Sequence, residues 1–119
     1  MNQEQFLKLI SEIYDEGLAV IKLKNADYAT DDDPFKNFRS AETIGVDVEK
    51  AILVRVLDKL SRIGNLLDKE PSVVEESVED TLLDAINYLA ILLAKRKSDK
   101  ANDENVQPTD GAIINDTWP

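Results

Sequence analysis

The sequence predicts an all-α fold, and three observations carry that expectation. Apolar residues return at steps of three and four in three separate segments, which is the period of a helix. Pro34 and Pro71 fall between those segments, where they end helices rather than break them. At 119 residues and 43% hydrophobic composition, the chain is long enough for one core and too short for two. The expected arrangement is an antiparallel helical bundle of three long helices plus a short one, completed by oligomerisation.

Phe6, Ile10, Ile13, Tyr14, Gly17, Val20 and Ile21 mark the first helix, running to about Lys24. Gly17 stands inside the apolar stripe, where it costs about 1 kcal/mol relative to alanine and invites a close approach by another helix. The second stripe is Ile52, Val56, Leu60, Ile63 and Leu67, in a helix from about Asp47 to Lys69 that Pro71 stops. The third helix follows at once. Ser72 with Glu75 fits a capping box and Ser77 with Asp80 is an alternative start, so it begins within 72–78. Its basic end, Lys95 to Lys97, suits the negative pole of the helix dipole.

Between the first two helices lie about twenty residues with turn chemistry at Asp33-Pro34 and a short helix expected near Phe35 to Glu42. Tyr28, Phe35 and Phe38 stand there beside Lys24, Lys36 and Arg39, a mixture that marks a functional connection rather than a disordered one. The helical domain is read as 1–97. Residues 98–119, rich in Asp, Asn, Gln, Pro and Gly, read as a flexible acidic tail, with Ile113, Ile114 and Trp118 able to dock on a neighbour. Three long helices close a bundle less naturally than four, which is why a homodimer or tetramer is expected.

Composition narrows the chemistry. With no cysteine and no histidine, the chain lacks a thiolate nucleophile, a Cys-ligated metal and the commonest general base. Carboxylates are the only strong anionic ligands left, and they favour hard ions such as magnesium. A net charge of -10, from 24 acidic and 14 basic residues, argues against a nucleic-acid polymer as partner. The opening MNQEQFLKLI lacks the pattern of an export signal and no apolar run is long enough for a membrane span, so a cytoplasmic location is expected.

The third helix carries the feature that needs explaining. Glu76, Asp80, Asp84 and Asn87 fall within roughly 80° of one another beside the apolar arc, and like charges four residues apart repel. Glu79 precedes Ile86 by seven residues and Leu93 by fourteen, so it is expected at a core position, withdrawn from water. The positive dipole end of the helix accounts for acids in the first turn, but not for Asp84, two turns or more inside. A divalent-cation site is the alternative. If the second and third helices form a hairpin, residues whose numbers sum to roughly 142 lie at one height, which sets Asp58 near Asp84 and Arg62 near Asp80. Arg55, Asp58, Lys59 and Arg62 share the polar side of the second helix. They either pair with the acids opposite or, through Lys59 and Arg62, take phosphate oxygens.

The stretches KNADYA, FKNF, LVRVLDKLSRI and EESVEDTLLDAINYLAI resemble the nucleotide modification associated domain of phage proteins, which is itself similar to the MazG-like all-α nucleoside triphosphate pyrophosphohydrolases. The resemblance spans about residues 20 to 94. It implies a magnesium-dependent helical oligomer, with manganese as a substitute, that splits (deoxy)nucleoside triphosphates into monophosphate and pyrophosphate. Carried over by position, Glu76, Glu79, Asp80 and Asp84 would ligate metal, and Glu76 or Glu79 would activate water. Lys24, Asp27, Lys59 and Arg62 would contact the nucleotide. Beside the residues carried over, Tyr28, Lys36, Phe38, Arg55, Asp58 and Asn87 are further candidates for that site. A phage-encoded chain of this kind would work in the host cytoplasm. The sequence departs from the MazG-like pattern in two places: the second helix offers only Glu49 and Asp58 instead of an EExxE cluster, and Asp80 and Asp84 are spaced by four rather than three. With fewer acids, the alternative is a non-catalytic protein that sequesters a nucleotide or cyclic nucleotide, as in phage anti-defence, and a purely structural bundle is the third reading.

Overall fold

The computed structural model describes the backbone of residues 1–28, 33–69 and 71–103, and the side chains of all of these except 26–28 and 71–76. Among the described residues the chain is helical throughout its ordered elements: α1 (Gln3–Tyr28), a 3-10 helix (Lys36–Ile44), α2 (Val48–Leu67) and α3 (Pro71–Asn102). None of these helices is long and apolar enough to cross a membrane.

Each start has a local cause. Asn2 and Gln5 cap α1 reciprocally: the Asn2 side chain accepts the Gln5 N–H at 2.8 Å and the Gln5 side chain accepts the Asn2 N–H at 2.9 Å. Asp47 caps α2 by accepting the Lys50 N–H at 2.8 Å. The 3-10 helix closes on Gly45, whose φ of 81° places it in the left-handed region, and the Val46 N–H then reaches back to the Ala41 carbonyl at 3.0 Å.

α2 and α3 run antiparallel. Lys59 meets Asp84 at 3.3 Å, while Glu49, nearer the start of α2, meets Arg96 at 3.1 Å. The hairpin register expected from sequence is therefore correct to within a few residues. Ile52 is wholly enclosed in this seam, with Val48 and Phe35 beside it and Phe38, Tyr88, Ile91 and Leu92 packed around them. Farther along, Val56 and Ala85 are buried, and buried Thr81 donates its hydroxyl to the Ser77 carbonyl at 2.6 Å. α1 rests on α3 through Gly17, where an added Cβ would lie 2.7 Å from Asn87 Oδ1 and 3.5 Å from Leu83 Cδ1. The close approach expected at Gly17 is thus present.

Three boundaries differ from the sequence reading. α1 continues past Lys24 to Tyr28, because Asn25 to Tyr28 contain no breaker. Pro71 opens α3 instead of only ending α2, since proline's fixed φ and missing N–H suit the first helical position. α3 also runs through Ser98 to Asn102, into the segment read as tail, with Lys95 bridging one turn ahead to Asp99 at 2.6 Å. Ile113, Ile114 and Trp118 lie outside the described residues.

Gly17→Leu provides the direct check on the α1–α3 contact. Leucine is a good helix former, so any loss comes from overpacking, and the substitution is expected to destabilise the protein by about 1–3 kcal/mol in urea unfolding. A variant as stable as the wild type would show that α1 is not seated there.

Candidate functional site

The end of α1, the 3-10 helix and the hairpin enclose a cleft of about 850 Å³. Lys24 and Asn25 come from α1, Pro34, Phe35 and Phe38 from the 3-10 segment, Arg55 from α2, and Tyr88 and Ile91 from α3. A smaller recess shares Lys24, Asn25 and Tyr88 with it and adds Asp84 and Asn87. Phe38 and Tyr88 meet edge to face, with ring centroids 6.3 Å apart and planes at 80°.

The wall formed by the 3-10 helix is pinned by charge. Arg39 donates from Nε and, at 3.2 Å, from a second nitrogen to the Asp33 carboxylate, and it reaches Glu42 at 3.4 Å. Asp33 also accepts the Phe35 N–H at 3.1 Å. The Arg39 hydrogen bond holds the Asp33 carboxyl below its ordinary value, with partial burial opposing it and the Phe35 N–H assisting. The same hydrogen bond raises Arg39. Behind this wall, Lys95 Nζ sits 5.8 Å from the centre of the Phe35 ring.

Asp84 lies at the floor of the recess between two lysines, with Lys59 at 3.3 Å and Lys24 at 3.9 Å. The sequence places Asp58 at its height, but Lys59 is the residue that faces it. Arg62 and Asp80, expected to pair, are both exposed and form no ion pair among the described residues. Arg55 is likewise without an ion pair among the described residues, so its guanidinium is available in the cleft. Asn87 is 8% exposed, lines the recess, and its side chain makes no hydrogen bond among the described residues.

Of the residues read as nucleotide-binding, the structure therefore brings Lys24, Phe38 and Arg55 to the cleft and Asn87 to the recess beside it, while Lys59 lines neither hollow and is tied to Asp84 of the recess. Lys36 and Asp58 are exposed and line neither hollow. The side chains of Asp27, Tyr28 and Glu76 lie outside the described residues. Tyr88 was not singled out from the sequence, although it follows Asn87 directly and faces the same hollow.

Glu79 is a correction. It is exposed rather than withdrawn from water, because the helix edge it shares with Leu93 faces solvent, Leu93 itself being 54% exposed. It also lies about 140° around α3 from Asp84 at the helical rotation of 100° per residue. Among the described residues no three acidic side chains converge on one point. Asp84 is partnered by two lysines, so the described acids Glu79, Asp80 and Asp84 do not by themselves form a ligand set for magnesium or manganese.

No family model matches this chain, and comparison with curated proteins and with solved structures gives no match either.

The lysine partners set an expectation for Asp84→Asn. The pairs are partly exposed, so the substitution should destabilise the protein by no more than about 1 kcal/mol, equally in chelator and in millimolar magnesium. A variant stabilised in chelator would instead mean that repulsion along Glu76, Asp80 and Asp84 outweighs the lysines. A second expectation concerns pH. A carboxyl held below its ordinary 3.8 contributes stability above that pH and loses it as pH falls through the depressed value. A carboxyl titration followed by NMR should place the Asp33 midpoint below 3.8, and Arg39→Ala should return it towards 3.8.

Proposed function

We propose that this chain binds a nucleotide in the cleft between α1, the 3-10 helix and the hairpin. The observation that carries the proposal is the juxtaposition of two aromatic rings, Phe38 and Tyr88, with two cations, Lys24 and Arg55, around one hollow of about 850 Å³. A purine or pyrimidine base is flat and apolar on its faces, which suits the aromatic side. Phosphates are polyanionic, which suits an unpaired guanidinium and a lysine whose carboxylate contact is long. Asn87, largely covered as a residue but with its amide unbonded at the recess among the described residues, adds a group able to donate to and accept from a base or sugar. The net charge of -10 is compatible with this, since a small anion is met by local cations whereas a nucleic acid would face the whole surface.

A second reading is hydrolysis of a bound triphosphate to monophosphate and pyrophosphate. One observation favours it: α3 is helical from Pro71 onward, so Glu76, Asp80 and Asp84 recur along one side of a continuous helix. The described acids supply no metal set, and binding is therefore the reading we place first.

Equilibrium binding to a panel of ribo- and deoxynucleoside triphosphates and cyclic nucleotides tests both. Saturable binding of at least one of these is expected, and Arg55→Ala should weaken it by about tenfold to a hundredfold, the value of a charged hydrogen bond. Release of pyrophosphate in the presence of magnesium would favour the second reading over the first. Absence of saturable binding across the panel would exclude both.

A further inference from the structure

The α2–α3 hairpin has two long sides, and the elements described so far use one. α1, the 3-10 helix and the cleft all lie on the side of Arg55, Lys59 and Asp84. On α2, Leu53, Leu57, Leu60 and Leu67 turn to the other side and are 43%, 55%, 52% and 67% exposed. On α3, Leu82, Leu89 and Leu93 are 44%, 49% and 54% exposed, with half-buried Ile86 in line between them. In an antiparallel pair, equal rotation away from the shared seam carries both stripes to the same side. The Lys59–Asp84 register sets Leu60 near the level of Leu82, Leu57 near Ile86 and Leu53 near Leu89. The two stripes therefore form one apolar face.

Two further features say what covers it. The α2 stripe keeps alternating steps of four and three through Gly64, the spacing with which helices interdigitate in bundles. A Cβ at Gly64 would meet nothing within 4 Å, so nothing among the described residues accounts for a residue that weakens the helix. A second helix approaching closely from outside does account for it. The rim, moreover, is ordered by charge. Lys50 and Lys97 stand at one end of the face, Asp68 and Glu79 at the other, on the same edge of each helix at about 100° per residue. All four are exposed and form no ion pair among the described residues.

We propose that a second copy of this chain covers the face, packed about a two-fold axis as an antiparallel four-helix bundle with the basic end of each copy over the acidic end of the other. The face is its own complement in that arrangement and in no parallel one, where lysine would lie over lysine. Glu79 thereby becomes a rim residue that meets a partner lysine, which accounts for a carboxylate at the margin of an apolar arc.

The test exchanges the charges. Light scattering on the wild type should give twice the 13.3 kDa chain mass. The variant Lys50→Glu/Lys97→Glu makes both ends acidic, and Asp68→Lys/Glu79→Lys makes both basic. Each alone should run as a monomer at concentrations where the wild type is dimeric, with unchanged far-UV circular dichroism, while an equimolar mixture of the two should recover the dimer. Leu57→Asp should abolish the dimer in every pairing. A monomeric wild type, variants that remain dimeric on their own, or a mixture that stays monomeric would each overturn the proposal.

Discussion

The antiparallel contact between α2 and α3 is the constraint from which the rest of the structure follows. Ile52 is enclosed on every side because two helices of roughly matching height close around it, and Phe35 completes that enclosure from the 3-10 segment. The connection between α1 and α2 is held against the hairpin by the Phe35 ring and by the Asp33–Arg39 pair that fixes the turn before it. Once the connection is in place, its second aromatic, Phe38, has to face Tyr88, and the cleft is the space left between them and the end of α1. The hollow is thus a consequence of how a long connection is tied to a core.

Electrostatics within the hollow act on position more than on stability. Asp84, Lys59 and Lys24 are partly exposed, so water and salt screen their attraction and the net gain is small. Their arrangement nonetheless keeps two ammonium groups beside the hollow and leaves Arg55 free in it. Under the proposed nucleotide binding, Asp84 would hold two lysines near the hollow and release them at little cost to a stronger anion, since both pairs are partly exposed. The same stripe of acids that would repel in a bare helix is in this way partly neutralised from the helices opposite.

The two sides of the hairpin differ in kind. One is concave, lined by aromatic rings and cations together and occupied by the rest of the chain, whereas the other is apolar, lined by half-exposed leucines and bounded by charges of opposite sign at its two ends. The proposed nucleotide site and the proposed association surface would therefore draw on different side chains of the same hairpin of 20- and 32-residue helices.

Helix identity and order were legible in the sequence because they depend on local periodicity, capping and breakers: Asp47 before α2, Gly17 at a close approach, Pro71 between α2 and α3. The hairpin register was legible too, since a short connection leaves little freedom in it. The partners of individual charged groups were not. Asp58 lies close to the level of Asp84, yet Asp84 meets Lys59 and Lys24, because a shift of one residue turns a side chain by about 100° around the helix and sequence spacing does not resolve which neighbour faces it. Tyr88 and Lys95 were missed as partners of Phe38 and Phe35 for the same reason: their contacts join segments far apart in the chain. Glu79 shows the limit from the other direction. Periodicity placed it on an apolar arc, and that is where it lies, but only the packing of α2 and α1 on the other sides of α3 decided that this arc faces outward.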